Sequence, residues 1–304
     1  MEVKRLVGGI VLAVIGITVF FALAQIVRPP GAPQRGAGSA QAVAVIHLEG
    51  IIMDGQIQPL FGAPGGTRQI IGQLQDAAAD RDVAAVVLRI NSPGGTPAAS
   101  QEVYNEVQRL KESGKPVVVS VGEMAASGGY WIASAADEIV ANPASVTGSI
   151  GVIMETTNFV ELYEMLGIES EVFKSGQYKD MGSAARPLSD DEREIIQSMV
   201  DDIFQQFVDV VASGRSLDRE AVLEVADGRI FTGRQAKELG LVDRLGDLNT
   251  AIDAAGELAG IEGTPRIKEM RTRSPWGIFG GGVNMPLWQL FAPGEAEGSV
   301  LLPR

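Results

Sequence analysis

Residues 117–131 read VVVSVGEMAASGGYW, a β-branched run followed by a turn of small residues, and the fold is decided by how this stretch is read. Val117–Val121 has the composition of a buried strand, and Met124–Tyr130 reads as a sharp strand-to-helix turn. Similar apolar runs stand on either side, at Ala42–Leu48, Ala84–Ile90, Glu138–Ala141 and Gly151–Met154, and the central run itself begins at Pro116. Between and after them lie patterns with helical spacing: Arg68–Ala79, Thr96–Ser113, Asn158–Leu166, Asp190–Ser213, Arg219–Val225, Gly233–Leu239 and Leu248–Ala259. Strands alternating with helices predict an α/β fold around a largely parallel sheet.

In such a sheet the ligand crevice forms beyond the carboxyl ends of the strands. Three glycine-rich turns fall at positions of that kind: Asn91–Gly95, Met124–Tyr130 and Thr147–Gly151. The second has the layout a serine nucleophile needs. Small residues before Ser127 let the backbone bend, and Gly128 exposes an amide beside the hydroxyl. An amide from Gly94 or Gly95 would supply a second donor, and two N–H groups aimed at one point stabilise the oxyanion of a tetrahedral intermediate, a term of ~2.7–4 kcal/mol per donor. Tight turns with close helix–sheet packing would use the same glycines for purely structural ends.

The supply of general bases is short. The chain has one histidine, His47, inside the apolar run Ala44–Leu48, where a strand residue facing one side of the sheet is the simpler account. It has no cysteine, which removes disulfides, thiolate nucleophiles and cysteine-based zinc sites. Attention turns to lysine, which serves as a base when desolvation or a cationic neighbour leaves it neutral. Lys174 and Lys179, in the stretch Phe173–Met181, are the candidates, although either residue type in such a position is ordinarily a solvated surface group.

Composition excludes several classes. At 45% hydrophobic and 21% charged residues the 304-residue chain is globular rather than disordered, and long enough for a substantial core. Twenty-five Lys and Arg against 38 Asp and Glu leave a net charge of −13, which repels phosphate backbones, so nucleic acid is not an expected partner. Leu6–Val27 is a run of 22 residues with only Thr18 and Gln25 polar, long enough as a helix to cross a hydrocarbon core of ~30 Å. A cleaved secretory signal ending near Ala22-Leu23-Ala24 is the alternative, and both readings export the domain downstream. Pro29–Ala40 reads as a linker, and Ser274–Leu290 with Val300–Arg304 as an apolar tail.

Four motifs in order, SPGG at Ser92–Gly95, MAASGGYW at Met124–Trp131, TGSIGV at Thr147–Val152 and KSGQYKD at Lys174–Asp180, lie behind that N-terminal apolar segment. Together they resemble the short, single-domain form of the bacterial signal peptide peptidase A family of serine proteases, from about Ala42 to Leu258. The resemblance implies a ClpP/crotonase-like α/β fold of βαβ units with flanking helices, preceded by one transmembrane helix. It implies Ser127 as nucleophile, Lys179 as general base, Ser149 holding the lysine amine, and an oxyanion hole from Gly128 with Gly94 or Gly95. Lys174 remains the alternative base, and Asp180 a local structural partner.

The same resemblance carries further expectations. No metal and no cofactor is required. The substrates are hydrophobic signal peptides left in the bilayer after secretory precursors are cleaved. The partners are membrane lipid, through the N-terminal helix, and further copies of the chain in a ring, octameric in this family, with the dyad completed between neighbours. The organisation expected is a cytoplasmic start and anchor over 1–28, a linker over 29–41, the protease domain over 42–260 and an extension over 261–304, single-pass with the catalytic domain extracytoplasmic. A non-catalytic exported scaffold ring and a crotonase-like acyl-CoA enzyme are the competing readings.

Overall fold

The computed structural model describes residues 41–55 and 66–270. The expected anchor, the linker up to residue 40 and the tail beyond 270 lie outside the described residues. Among the described residues, no helix is long and apolar enough to cross a membrane.

A mostly parallel sheet organises the chain. Its strands are β1 (Ala42–Glu49), β2 (Val83–Ser92), β3 (Val117–Ala126), β4 (Glu138–Ala141), β5 (Val146–Gly148), β6 (Ile230–Thr232), β7 (Arg244–Leu245) and β8 (Arg266–Glu269). The spatial order is β6-β5-β3-β2-β1-β8, with β4 also beside β3 and β7 beside β4. Every pairing is parallel except that of β5 with β6. The helices are α1 (Thr67–Ala79), α2 (Pro97–Glu112), α3 (Gly128–Ala133), α4 (Val160–Leu166), α5 (Asp190–Arg215), α6 (Arg219–Val225), α7 (Gly233–Glu238) and α8 (Leu248–Leu258).

Both faces of the sheet are covered, which is why its strands read as continuous apolar runs rather than alternating ones. In β1, Ala44, Ile46 and Leu48 face the larger core with Leu74 of α1, Val103 of α2 and Phe207 of α5. Val43 and Val45, one residue out of phase, face the opposite side with Val87, Val118, Val140 and the small face Ala251, Ile252, Ala254 and Ala255 of α8. Burying each large aliphatic side chain contributes ~1.5–3 kcal/mol. His47 leaves this pattern: it is exposed on β1 and lies 3.4 Å from Glu269 of β8.

One irregularity prepares the site. Ile90 pairs with Val121 and Ser92 with Ala125, so two residues of β2 oppose four of β3, and β3 carries two extra residues between the pairs. The first half of β3 pairs with β4, and the second half, Met124–Ala126, pairs with β5. Parallel pairing in this register ends β2 and β3 at one edge, so the turns after Ser92 and after Ala126 emerge side by side.

The long elements agree with the sequence, and the differences have local causes. The apolar run Gly151–Met154 is not a strand. It leaves the sheet after Ile150, whose carbonyl accepts the Gly228 amide, and exposes Ile153 at 89%. The neighbouring edge is taken instead by β6, which pairs with β5. Strands β5 to β8, two to four residues long, are held by their partners rather than by their own propensity. Helix α3 forms despite two leading glycines because all six of its residues are buried.

Helix α5 begins with a capping box between Ser189 and Glu192 and ends against α3. At that end Gly214 lies so close to Ser134 that a Cβ would overlap the Ser134 carbonyl oxygen. Gly214→Ala should therefore destabilise the protein by roughly 1–3 kcal/mol, read from chemical denaturation, because α5 must move off α3 to admit the methyl group.

Candidate active site

Ser127 occupies the N-cap of α3 with φ 52° and ψ −122°, a positive-φ conformation unusual for a residue with a side chain. Strain of this kind costs about 1–3 kcal/mol and persists only where the surroundings enforce it. Here they do. The Ser127 amide donates to Gly148 O at 2.9 Å, and the Ser127 carbonyl accepts the Tyr130 and Trp131 amides, both at 2.9 Å. Tyr130, fully buried, is pinned further on by donating its hydroxyl to Leu241 O at 2.8 Å, and burial pushes its phenol above the ordinary range. The Ser127 hydroxyl makes no hydrogen bond to the described residues and points the elbow's one reactive group into a cleft.

The neighbouring loop approaches at backbone distance. Gly94 has φ 110°, and a Cβ on it would sit 2.8 Å from Ser127 Cβ and 2.9 Å from the Gly128 amide nitrogen. A Cβ on Gly95 would overlap the Ile52 carbonyl, and one on Gly128 would run into Ser100 Oγ and lie 3.1 Å from the Gly95 amide. The amides of Gly95 and Gly128 thus meet beside Ser127. Neither has an acceptor among the described residues, for separate reasons. Gly128 is the first residue of α3, where an amide has no partner one turn back. Gly95 forms a parallel bridge with Ile52 through its neighbours, since Ile52 N donates to Gly94 O at 2.9 Å and Thr96 N to Ile52 O at 2.8 Å, so its own N–H faces away. The Gly94 amide is already taken, donating to Ser92 Oγ at 3.1 Å.

Ser149 stands on the same cleft. It too has φ 52°, and its amide donates to Arg229 O at 2.8 Å, so the loop 226–229 fastens the turn that carries it. The cleft has a volume of about 560 Å³; its aromatic end is formed by Trp131, Phe204 and Phe207, and Val152 and Val200 add aliphatic wall. Asp227 lies on its rim, where the Arg229 guanidinium and backbone amide hold the carboxyl down at about 2. A carboxylate that acidic is a poor proton acceptor near neutral pH.

Of the residues singled out in the sequence, Ser127, Ser149, Gly95 and Gly128 line one cleft, with Gly94 packed against Ser127. Lys179 is not among the lining residues of its own chain. It is exposed, in a turn where its amide donates to Gly176 O at 3.2 Å. Lys174 is engaged elsewhere, donating to Asp180 Oδ1 at 2.8 Å and to Gln177 O at 2.9 Å. Asp180 in turn receives Arg186, and Arg186 also grips Glu192 at the start of α5. This chain of ion pairs ties the segment bearing Lys179 to the end of a long helix. The Arg186 guanidinium, then Lys174, holds the Asp180 carboxyl well below the carboxylate range, and Arg186 with the Ser189 amide lowers Glu192 to about 2.

Several contributors carried no sequence signal of their own. Ser92 was visible only as part of SPGG, yet its buried hydroxyl both accepts the Gly94 amide and donates to Gly50 O at 2.6 Å. Val200, Phe204 and Phe207 are spaced at four and three residues along an otherwise acidic helix, a stripe that marks an inward face without saying that part of it lines a cleft.

Ser92→Ala should leave the buried Gly94 amide unpaired, while the exposed Gly50 carbonyl turns to water, and cost roughly 1–3 kcal/mol in denaturant unfolding, with the loss located to the 92–95 turn by hydrogen exchange. Arg186→Met tests the ion-pair chain. Because the folded-state pKa values of Asp180 and Glu192 are lowered, their contribution is complete above the unfolded values, about pH 4–5, and fades as pH falls toward 2. The stability gap between wild type and variant should therefore be full at pH 7 and close toward pH 2 in urea titrations.

Comparison with known proteins gives this arrangement a family. The profile of peptidase family S49 matches residues 109–262, and that of Clp protease matches residues 63–146, in agreement with the ClpP-like fold that the motifs implied. The chain is 47% identical over 197 residues to the Synechocystis sp. protein slr0021, covering 65% of this chain and 71% of that one. It is 39% identical over 222 residues to an Enterococcus faecium protein carrying the name signal peptide peptidase SppA, covering 73% of this chain and 64% of that protein. Protease 4 of Salmonella typhi is 39% identical over 223 residues, 73% of this chain but only 35% of that longer protein. These matches agree with a strained serine at a strand-to-helix elbow and unpaired amides beside it: the chain belongs to peptidase family S49 and is a serine protease.

Proposed function

We propose that this protease is a membrane-anchored endopeptidase that uses a Ser127–Lys179 dyad to degrade remnant signal peptides and other short hydrophobic peptides. The observation that carries the reading is the convergence of two unpaired amides, Gly95 and Gly128, beside a strained serine with a free hydroxyl in a cleft walled in part by aromatic and aliphatic side chains. In this mechanism the Lys179 amine takes the Ser127 proton as Oγ attacks the scissile carbonyl. The carbonyl oxygen becomes an oxyanion held by the Gly95 and Gly128 amides. Collapse of the tetrahedral intermediate returns the proton to the leaving amine, and water then releases the acyl group by the same steps in reverse. Gly95 is preferred to Gly94 because the Gly94 amide is committed to Ser92. Ser149 would steady the lysine amine.

A base must still reach the cleft. Of the two carboxylates that line the cleft, Asp227 is too acidic for the task and Asp201, on α5, accepts Gln197 Nε2 at 2.7 Å, while His47 lies on β1, away from the lining residues. Supply of Lys179 from a neighbouring copy fits the surface of the segment that leads to it. Ile153, Met165, Leu166 and Phe173 are exposed at 89, 82, 61 and 88%, a concentration of apolar surface that calls for a covering partner. A homo-oligomeric ring would cover it and dehydrate the lysine together, as a lysine base requires. The apolar run Leu6–Val27 would anchor residues 42–260, the protease domain, at the extracytoplasmic face through the linker 29–41, with 261–304 as an extension.

Incubating the full chain with synthetic signal peptides and identifying the cut bonds by mass spectrometry tests the activity. Ser127→Ala and Lys179→Ala should each lower cleavage by at least about 10³-fold without shifting the unfolding midpoint. Mixing and co-refolding the two inactive variants should restore part of the activity, since some cleft–lysine pairs would then combine intact groups. Full activity in either single variant would overturn the dyad, and no recovery on mixing would overturn its formation between subunits.

A further inference from the structure

Trp131 stands four residues after Ser127, one turn along α3, and forms part of the aromatic end of the cleft although only 3% of it is exposed. Its ring packs on Phe207 with centroids 4.7 Å apart and planes tilted by 33°. The indole nitrogen is a donor only, with one hydrogen to place. It donates to Gln101 Oε1 at 3.0 Å, across from α2. The other end of the Gln101 amide is also fixed, its Nε2 donating to Asn105 Oδ1 at 2.6 Å one turn along the same helix. The two contacts determine which way the amide faces, since only its oxygen can receive the indole hydrogen. Neither Gln101 nor Asn105 lines the cleft.

Resting on the protease reading of this site, we propose that Gln101 is a positioning residue for substrate selectivity: by holding the Trp131 indole in one plane it sets the cleft to receive a bulky apolar side chain beside the scissile bond. Core packing confines the ring but has little directional preference, so it is the N–H···O contact that selects which way the indole faces within that space. Without the acceptor, a nearly buried N–H loses its partner and the ring turns to seek another. The wall then shifts against the side chain it contacts. The elbow at Ser127 is held by separate backbone bonds from Gly148, Tyr130 and Trp131, so the chemical step is insulated from that shift.

The test uses the full chain and fluorogenic peptides that differ only in having Leu, Phe or Ala immediately before the cleaved bond. Gln101→Met keeps the bulk and removes the acceptor. It should raise KM for the Leu and Phe peptides about three- to tenfold while leaving kcat, and both constants for the Ala peptide, within about twofold. Gln101→Glu retains an acceptor oxygen and should restore the wild-type values. In a Trp131→Phe background, where no N–H remains, Gln101→Met should add nothing. Should Gln101→Met not fold, Gln101→Asn, which withdraws the acceptor by one methylene, bears the same expectation. The chain's other two tryptophans, Trp276 and Trp288, are replaced by Phe so that emission reports Trp131 alone. Emission should shift in Gln101→Met and not in Gln101→Glu. An equal KM rise for all three peptides, a fall in kcat at constant KM, or failure of Gln101→Glu to rescue would overturn the proposal. If the wild type cleaves none of the peptides the protease reading falls by itself, and an unshifted Trp131 emission in Gln101→Met would then overturn the positioning role independently.

Discussion

The parallel pairing of β2 with β3 is the constraint on which the site depends. Once Ser92 lies opposite Ala125, the turns at the ends of both strands have no choice but to leave the sheet together, and the only way they fit is without side chains at the contact. The glycines are therefore a consequence of register before they are a feature of catalysis. The same proximity that forbids a Cβ at residues 94, 95 and 128 brings two main-chain donors to a single point. Their lack of partners is also topological: one belongs to a helix start, and the other to the outward side of an isolated bridge.

Around this rigid centre the remaining parts are attached by different kinds of force. The turn bearing Ser149 is fixed by backbone bonds to the 226–229 loop and through Gly148 to the Ser127 amide, so the two strained serines share one hydrogen-bonded frame. The segment bearing Lys179 is held by charge, through Lys174, Asp180, Arg186 and Glu192 to the start of α5. Hydrogen bonds between backbone groups have narrow geometry, whereas ion pairs among long side chains leave more room for adjustment. That division suits the proposed dyad, in which the nucleophile would be placed within the subunit and the base would find its position as copies of the chain meet.

Legibility in the sequence obeys the same division. Ser127 and its glycines could be found because a strand-to-helix elbow leaves a local mark: a β-branched run, small residues, then glycines. The covered sheet was equally readable from Val43–Val45, Val86–Ile90 and Val117–Val121, since burial on both faces writes itself as uninterrupted apolar residues. Gly151–Met154 carries that same apolar mark without being a strand, because composition records that a surface is to be covered and not by what. The walls at Val200, Phe204 and Phe207 and the hydroxyl of Ser92 were illegible for another reason: each acquires its role from a partner far along the chain. The preference for Gly95 over Gly94 rests on that hydroxyl and on the bridge to Ile52, neither of which the glycines themselves announce.

The cleft is built from two materials that answer to mutation differently. Its corner beside Ser127, the proposed oxyanion site, is main chain hemmed in by main chain, and almost no side chain can be introduced there without displacing Ile52, Ser100 or Ser127. Its far wall is a row of ordinary side chains on α5, open to exchange among residues of similar volume. Under the proposed function, drift in α5 would retune which peptides are admitted while the chemistry stayed sealed off from it, so the architecture would separate the heritable choice of diet from the machinery of digestion.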